Sequence, residues 1–373
     1  MIQFIGGWLF ANGFRASALE ISEPTRTFGV WVRSVDRNLV TLGTIAPMQN
    51  IGHPGTLGMF WEDGYAHVGE VVNVEALTVT RRYASLTESA PPVCDIGDLE
   101  ACPPVDLESY AFPSDPSDRG MGFETIEYKG PLGPLGAWMI PSGEGKRWVI
   151  HIHGWTAERR EAIRFLPAYA NAGVTSLVID YRNDPGTDRD PSGRYRFGVT
   201  EWEDVEAAIT YALDAGASEI LLAGYSTGAA HAMSFLEESD LRDHIVGVVF
   251  DSPNLILADV VRANTLDAQI PILNIRMGQL MKEVGLWLAD LRWKIDWDRT
   301  NYVQRARSIL TVPTLVFHGT SDQRVPIAVS RQLEATAPAV VTLVEAPAAG
   351  HVMSWNANPD EYERRLGRFL DLV

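Results

Sequence analysis

From about residue 122 onward the chain alternates short, almost unbroken apolar runs with stretches of helical periodicity. The apolar runs are residues 148–152 (WVIHI), 174–179 (VTSLVI), 219–223 (EILLA), 245–250 (IVGVVF), 314–317 (TLVF) and 340–344 (VVTLV). Residues 159–172, 203–215 and 226–238 between them carry helical spacing. Strands apolar on both sides and separated by helices predict a parallel sheet buried on both faces. Two earlier runs, 124–128 and 135–140, start that sheet. Thr200, followed three positions later by Glu203, has the spacing of a capping box and predicts a helix starting there. Upstream the pattern differs. Residues 27–32, 39–45, 55–61, 66–72 and 76–83 are short β-rich runs, set apart by Asn50, Gly52, Asp63 and Gly64. They predict a small β-rich module over 1–110. Residues 89–119 hold six prolines and read as an extended connection reaching about 121.

At about 150 residues per domain, 373 residues suit two to three domains, in line with this division. A composition 46% hydrophobic and 21% charged is that of a folded chain. The formal charge of −17 disfavours nucleic acid as a partner, because an acidic surface repels phosphate backbones. No apolar run reaches the roughly 20 residues of a membrane span. Residues 4–14 come closest, but they include three glycines and lack a preceding basic segment, so they read poorly as a signal peptide. Cys94 and Cys102 read as two free thiols in a loop, which suits a cytoplasmic protein. Pairing between them would leave secretion open.

The candidate chemistry begins at Gly224-Tyr225-Ser226-Thr227-Gly228, directly after an apolar run and before a helix. A serine there sits on a tight strand-to-helix turn with its hydroxyl exposed, and the helix N-terminus adds partial positive charge. A serine hydroxyl needs a base, and the base an orienting acid, in the chain order serine, acid, histidine. His351, in a loop after the last strand, is the candidate base. Asp322, in the turn after 314–317, is the candidate acid, with Asp251 as the alternative. His318 is expected to orient the acid turn. The N–H groups of Thr227 and of Trp155, in the turn His153-Gly154-Trp155-Thr156, are the candidate oxyanion donors. His153 is expected to be structural, and Glu201, Glu203 and Asp204 to form a solvated helix start.

On these residues, 122–373 resembles the α/β-hydrolase family. The motifs are His153-Gly154, Gly224-Tyr225-Ser226-Thr227-Gly228, His318-Gly319 with Ser321-Asp322 and Val325-Pro326, and Gly350-His351. The resemblance implies a mainly parallel eight-stranded sheet flanked by helices, no cofactor and no metal. It also implies Ser226 as nucleophile, His351 as base and Asp322 as orienting acid. Residues 181–184, 200–202 and 351–356 are further similar to a bacterial group with a β-rich N-terminal extension. Ala229 replaces a glycine common in the family.

Residues 255–305 exceed what a minimal fold needs and predict a helical lid starting near Pro271. Its apolar stripe runs through Leu273, Met277, Leu280, Val284, Trp287 or Leu288, and Leu291. With Tyr225 and Trp155, the residues Met277, Met281 and Trp287 are the expected substrate contacts. The leading expectation is a serine esterase for a small or medium apolar acyl group, with a small-molecule ester as its partner and a possible homodimer. A prolyl-oligopeptidase-like peptidase, a thioesterase and a non-catalytic binding protein are the alternatives. The peptidase would need a propeller, and the roughly 110 N-terminal residues fall short of the about 160 that four blades require.

Overall fold

A computed structural model of the chain describes residues 2–21, 29–44, 51–94, 102–264, 269–270, 275–276 and 278–373. The N-terminal residues form helix α1 (Ile2–Phe14) and then an antiparallel six-stranded sheet. Its strands are β1 (Val30–Asp36), β2 (Leu39–Thr44), β3 (Leu57–Trp61), β4 (Gly64–Val74), β5 (Thr78–Ser85) and β6 (Asp106–Glu108). They lie in the order β1-β2-β5-β4-β3-β6, and Val105, next to β6, bridges back to Val30 of β1 through backbone hydrogen bonds of 2.7 and 3.3 Å, so among the described residues the strands form one sheet whose ends meet and not a set of propeller blades. Val32, Val40, Leu42, Leu57, Met59 and Val68 fill its covered face.

The second sheet is built from β7 (Glu124–Lys129), β8 (Pro134–Ile140), β9 (Arg147–Ile152), β10 (Thr175–Ile179), β11 (Glu219–Tyr225) and β12 (Ile245–Asp251). After a hairpin of β13 (Gln269–Ile270) and β14 (Ile275–Arg276), β15 (Thr314–Gly319) and β16 (Val341–Ala346) complete it. The order is β16-β15-β12-β11-β9-β10-β8-β7, parallel except at β7 and β8. This is the α/β-hydrolase architecture. Helix α2 (Leu166–Asn171) covers one face. Helices α3 (Trp202–Asp214) and α4 (Gly228–Glu238) cover the other. The strands are apolar on both sides because both sides are roofed.

The lid region supplies α5 (Leu257–Asn264) and α6 (Gln279–Trp293). The expected start at Pro271 lies outside the described residues, and the helix is capped at Gly278. The last helices are α7 (Ala306–Ile309), α8 (Ala328–Thr336), α9 (Ser354–Ala357) and α10 (Pro359–Leu370); α8 lies on the face with α3 and α4, and α10 on the face with α2.

Three expectations change here. The apolar segment 4–14 belongs to α1, which packs against α6: Phe10 lies where a Cβ on Gly285 would be, and Val284 where one on Gly7 would be. Glycine on both helices lets their backbones approach. Cys94 and Cys102 are joined in a disulfide with Cα atoms 5.8 Å apart, so they are not free thiols. No capping box forms at Thr200. Its hydroxyl donates to Asp190, Glu203 pairs with Arg182, and the helix starts at Trp202 without a side-chain cap. Tertiary partners outcompete the local pair. Among the described residues no helix is long and apolar enough to cross a membrane.

Candidate active site

Ser226 occupies the turn between β11 and α4 with φ of 51°. Left-handed backbone is costly for a residue with a Cβ, and the surroundings hold it there. The Ser226 N–H donates to Asp251 O at 3.0 Å, and its carbonyl accepts from Asn254 N at 3.0 Å. The flanking glycines are needed for close approach. A Cβ on Gly228 would lie 2.0 Å from Ile152 O, and one on Gly224 would lie 2.7 Å from the backbone of Ala229.

Three distant side chains meet at this turn. His351 Nε2 is 2.9 Å from Ser226 Oγ, and His351 Nδ1 is 2.8 Å from Asp322 Oδ2. Asp322 is fully buried, yet its carboxyl is held well below the usual carboxylate range. Burial alone would raise it. The charge of His351 and hydrogen bonds from His318 and His351 more than offset that. The other oxygen accepts the N–H groups of Arg324 at 2.8 Å and Val325 at 2.9 Å. His318 lies buried beneath, with Nε2 3.3 Å from Asp322 Oδ2 and 3.0 Å from Val325 O, while Nδ1 faces Ser330 Oγ at 2.7 Å.

The histidine loop is tied on several sides. Ala348 N donates to Thr320 Oγ1 at 2.8 Å, Val352 N to Ser252 Oγ at 3.0 Å, and Arg164 to Val352 O at 2.8 Å. Asp251, the alternative acid, does not hold His351. Its carboxylate accepts from Ser354 at 3.0 Å and Ser252 at 3.3 Å, and burial pushes it up to about 7.

The turn after β9 is equally constrained. Glu161 accepts the Gly154 N–H at 2.8 Å, and the Tyr181 hydroxyl donates to Gly154 O at 2.9 Å. Among the described residues the backbone N–H groups of Trp155 and Thr227 have no intramolecular acceptor. His153 is buried. Burial would lower its pKa, but the charge and hydrogen bond of Asp184, together with the Gly154 carbonyl, push it up to about 9. The protonated ring donates to Asp184 at 2.9 Å and to Gly154 O at 3.0 Å. His153, Asp180 and Asp184 lie close enough to suggest a metal site. Arg159, 2.9 Å from Asp180, already supplies a cation there.

Several expected contacts lie elsewhere. Tyr225 is 1% exposed beneath the elbow, with its hydroxyl on His151 Nδ1 at 2.8 Å and its ring stacked on Phe165. It cannot touch substrate, because strand alternation turns it away from the side that presents Ser226. Trp287 is 56% exposed on the outer face of α6, with Leu280 and Leu291. Met281, Leu286 and Trp293 face inward, onto Phe10, Phe14, Leu257 and Val261. Leu280, Trp287 and Leu291 of the expected stripe therefore lie on the outer face of the helix and not its underside, whereas Val284 meets Gly7 of α1 and Leu288 joins the inward cluster; Leu273 lies outside the described residues. Met277 lies outside the described residues. Trp155 is half-buried against the same apolar cluster as Met281, its ring edge-on to Tyr195. Glu201 and Asp204 are not solvated but buried. Glu201 accepts the N–H groups of Arg196 at 2.6 Å and Gly198 at 2.9 Å, and Asp204 pairs with Arg182. Glu161, Asn254 and Ser330 went unnoticed in the sequence, and Tyr181 entered only as part of the 181–184 resemblance. Each acts through tertiary hydrogen bonds, which leave no local motif.

A model of the Alpha/beta hydrolase family matches residues 149–365, more than half of the chain. The chain is 25% identical over 228 residues to the uncharacterized protein YfhR of Salmonella typhi, covering 58% of this chain and 70% of that protein. The Pyrococcus furiosus esterase Pf2001 superposes with a TM-score of 0.55 at 22% identity, covering 69% of this chain and 94% of Pf2001. Est1E from Butyrivibrio proteoclasticus, solved with ferulic acid bound, gives a TM-score of 0.50 at 20% identity over 66% of this chain and 97% of its own. Sequence match, strand order and elbow agree, and the chain belongs to the alpha/beta hydrolase family.

Proposed function

We propose that the chain hydrolyses carboxylic esters of small or medium apolar acyl groups through an acyl-enzyme. The observation that carries this reading is the continuous hydrogen-bonded line from Ser226 Oγ through His351 to buried Asp322. In this reading Ser226 Oγ attacks the ester carbonyl while His351 Nε2 takes its proton. Asp322 holds the imidazole in the tautomer that leaves Nε2 free to accept, and stabilises the imidazolium that forms. The N–H groups of Thr227 and Trp155 receive the developing oxyanion. His351 then gives its proton to the departing alcohol oxygen, leaving the acyl group on Ser226. Water, deprotonated by His351, attacks that acyl carbon; the bond to Ser226 Oγ breaks, His351 returns the proton to that oxygen, and the acid is released.

The apolar cluster of Met281, Phe10 and Leu257, which Trp155 packs against, supports an apolar acyl partner. The Trp155 indole N–H, buried and without a partner among the described residues, suits a substrate oxygen. The N-terminal strands form a single six-stranded sheet and no set of blades among the described residues, which favours an ester over the propeller-gated peptide substrate. That Pf2001 is an esterase fits this reading.

The test is turnover of p-nitrophenyl acyl esters of graded chain length, with fluorophosphonate labelling. Wild type is expected to turn over and to label at Ser226, and Ser226→Ala to lose at least about 10³-fold in kcat. Equal turnover by both chains would sink the proposal.

A further inference from the structure

The six-stranded sheet does not merely precede the hydrolase core; it is built into the loop that carries His351. Ala349 and Met353, on either side of that histidine, are buried in the apolar interior of the sheet with Val32, Leu57, Met59 and Val105. The loop over residues 51–56, leading into β3, makes the closest approach. Thr56 N donates to Asn356 O at 3.0 Å, and Asn356 Nδ2 donates back to Thr56 O at 2.6 Å. The same Asn356 amide reaches Ser109 O at 2.7 Å. Gly55, with φ of 86°, lies so close that a Cβ there would sit 1.7 Å from Asn356 O. The ring of His53 stands against Gly350, the residue before His351. A Cβ on Gly350 would lie 3.0 Å from His53 Cε1 and 3.3 Å from His53 Nε2.

This loop is fixed from behind by Arg81 of β5, which is fully buried. Its guanidinium donates to the carbonyls of Ile51 at 2.8 Å, His53 at 2.8 Å and Gly55 at 2.6 Å, while Nε donates to Gly69 O at 2.9 Å. Among the described residues no carboxylate pairs with it. A buried cation without a counter-ion is costly, and here only carbonyl dipoles offset the cost. Three alternate carbonyls on one planar group leave the loop a single conformation, with the His53 ring on Gly350. Burial and the Arg81 charge lower the pKa of His53, so a neutral ring meets the histidine loop.

We propose that the N-terminal sheet is a clamp on the catalytic base: loop 51–56, locked by Arg81, presses His53 against Gly350 and grips Asn356, and so fixes the distance between His351 and Ser226. His53 and Asn356 are then positioning residues, acting through His351. The proposal rests on the reading of Ser226 and His351 given above. A displacement of about 1 Å in a reacting group can cost on the order of 10²-fold in rate, so a clamp of this kind is read in kcat.

The test uses the full chain and the variants His53→Ala, His53→Gln and Asn356→Ala. For each, kcat and KM on p-nitrophenyl acetate, the rate constant for fluorophosphonate labelling of Ser226, and the thermal midpoint are measured. His53→Ala and Asn356→Ala are expected to lower kcat and the labelling rate about 10- to 100-fold, with KM changed less than about threefold. His53→Gln, neutral and of similar reach, is expected to recover most of the loss. A purely structural contact would lower the midpoint and leave kcat intact well below the transition. Wild-type labelling with unchanged kcat and labelling rate in His53→Ala would overturn the clamp alone. A wild type that does not label at Ser226 would overturn the functional reading and the clamp with it.

Discussion

Glu161 holds the amide of Gly154 at 2.8 Å, which commits that N–H, while the next one, of Trp155, has no acceptor among the described residues. A buried carboxylate thus takes one backbone donor of the turn out of play, and in the proposed reading leaves that of Trp155 for the oxyanion. Glu161→Ala is expected to leave the Gly154 N–H unsatisfied at a cost of about 1–3 kcal/mol in stability. It is also expected to lower kcat about 10- to 100-fold by loosening the turn. Urea unfolding and ester kinetics on the same preparation check both. A variant with wild-type kcat would show that the turn holds its shape without Glu161.

Asp322 sits between two imidazoles, His351 at 2.8 Å and His318 at 3.3 Å. Asp322→Asn would keep the shape but offer an amide where His351 needs an acceptor. A fall in kcat of about 10³–10⁴-fold is expected, with KM little changed. His318→Gln should cost far less, because the N–H groups of Arg324 and Val325 still hold the carboxylate. Similar losses in the two variants would count against Asp322 as the direct partner of the base.

The His153–Asp184 pair makes stability depend on pH. The folded pKa of His153 is pushed up to about 9, against 6.5 for the free side chain. Its stabilisation is therefore complete below pH 6.5 and is lost as pH rises through 9. Wild type should lose about 1–3 kcal/mol of unfolding free energy between pH 6.5 and 9.5 relative to Asp184→Asn. Parallel pH curves for the two chains would refute this assignment.

Asp251 has the opposite consequence to an ordinary surface carboxylate. Burial raises its folded pKa to about 7 from 3.8. The folded chain thus holds a proton that the unfolded chain has released, and stability from this group declines as pH rises from 3.8 to 7. Asp251→Asn should be the more stable chain at pH 8, and the advantage should shrink to nothing near pH 4. Denaturant midpoints across that range provide the measurement.

Trp287 lies on the outer face of α6, away from the cluster that Trp155 joins. Trp287→Ala should leave kcat/KM for short acyl esters within about twofold, since surface substitutions away from packed features have small effects. Met281→Ala, at a buried position, should cost about 2–5 kcal/mol in stability. A large kinetic loss in Trp287→Ala would mean that the outer stripe turns inward during turnover.

The sequence and the structure part along a physical line. The elbow was legible because its constraint is local: Gly224 and Gly228 are forced by backbone atoms a few residues away or on the adjoining strand end. The parallel sheet was legible because both faces of each strand are apolar. The lid stripe misled because α6 is apolar on two sides, and a helical period does not say which side meets the core. Tyr225 inside the elbow motif looked like a substrate contact, although strand alternation buries it on Phe165. The Cys94–Cys102 bridge was open because two cysteines eight positions apart fit either state. The contact between loop 51–56 and Asn356 joins positions 300 apart, and no pattern along the chain announces it.

That long separation also governs how the molecule comes together. The interior of the N-terminal sheet is completed by Ala349 and Met353, which are synthesised long after its own strands. The early strands must therefore wait with part of their apolar interior unfilled. Contacts between such remote positions are slow to close, so the nascent chain has its longest exposure to misassociation in the N-terminal strands.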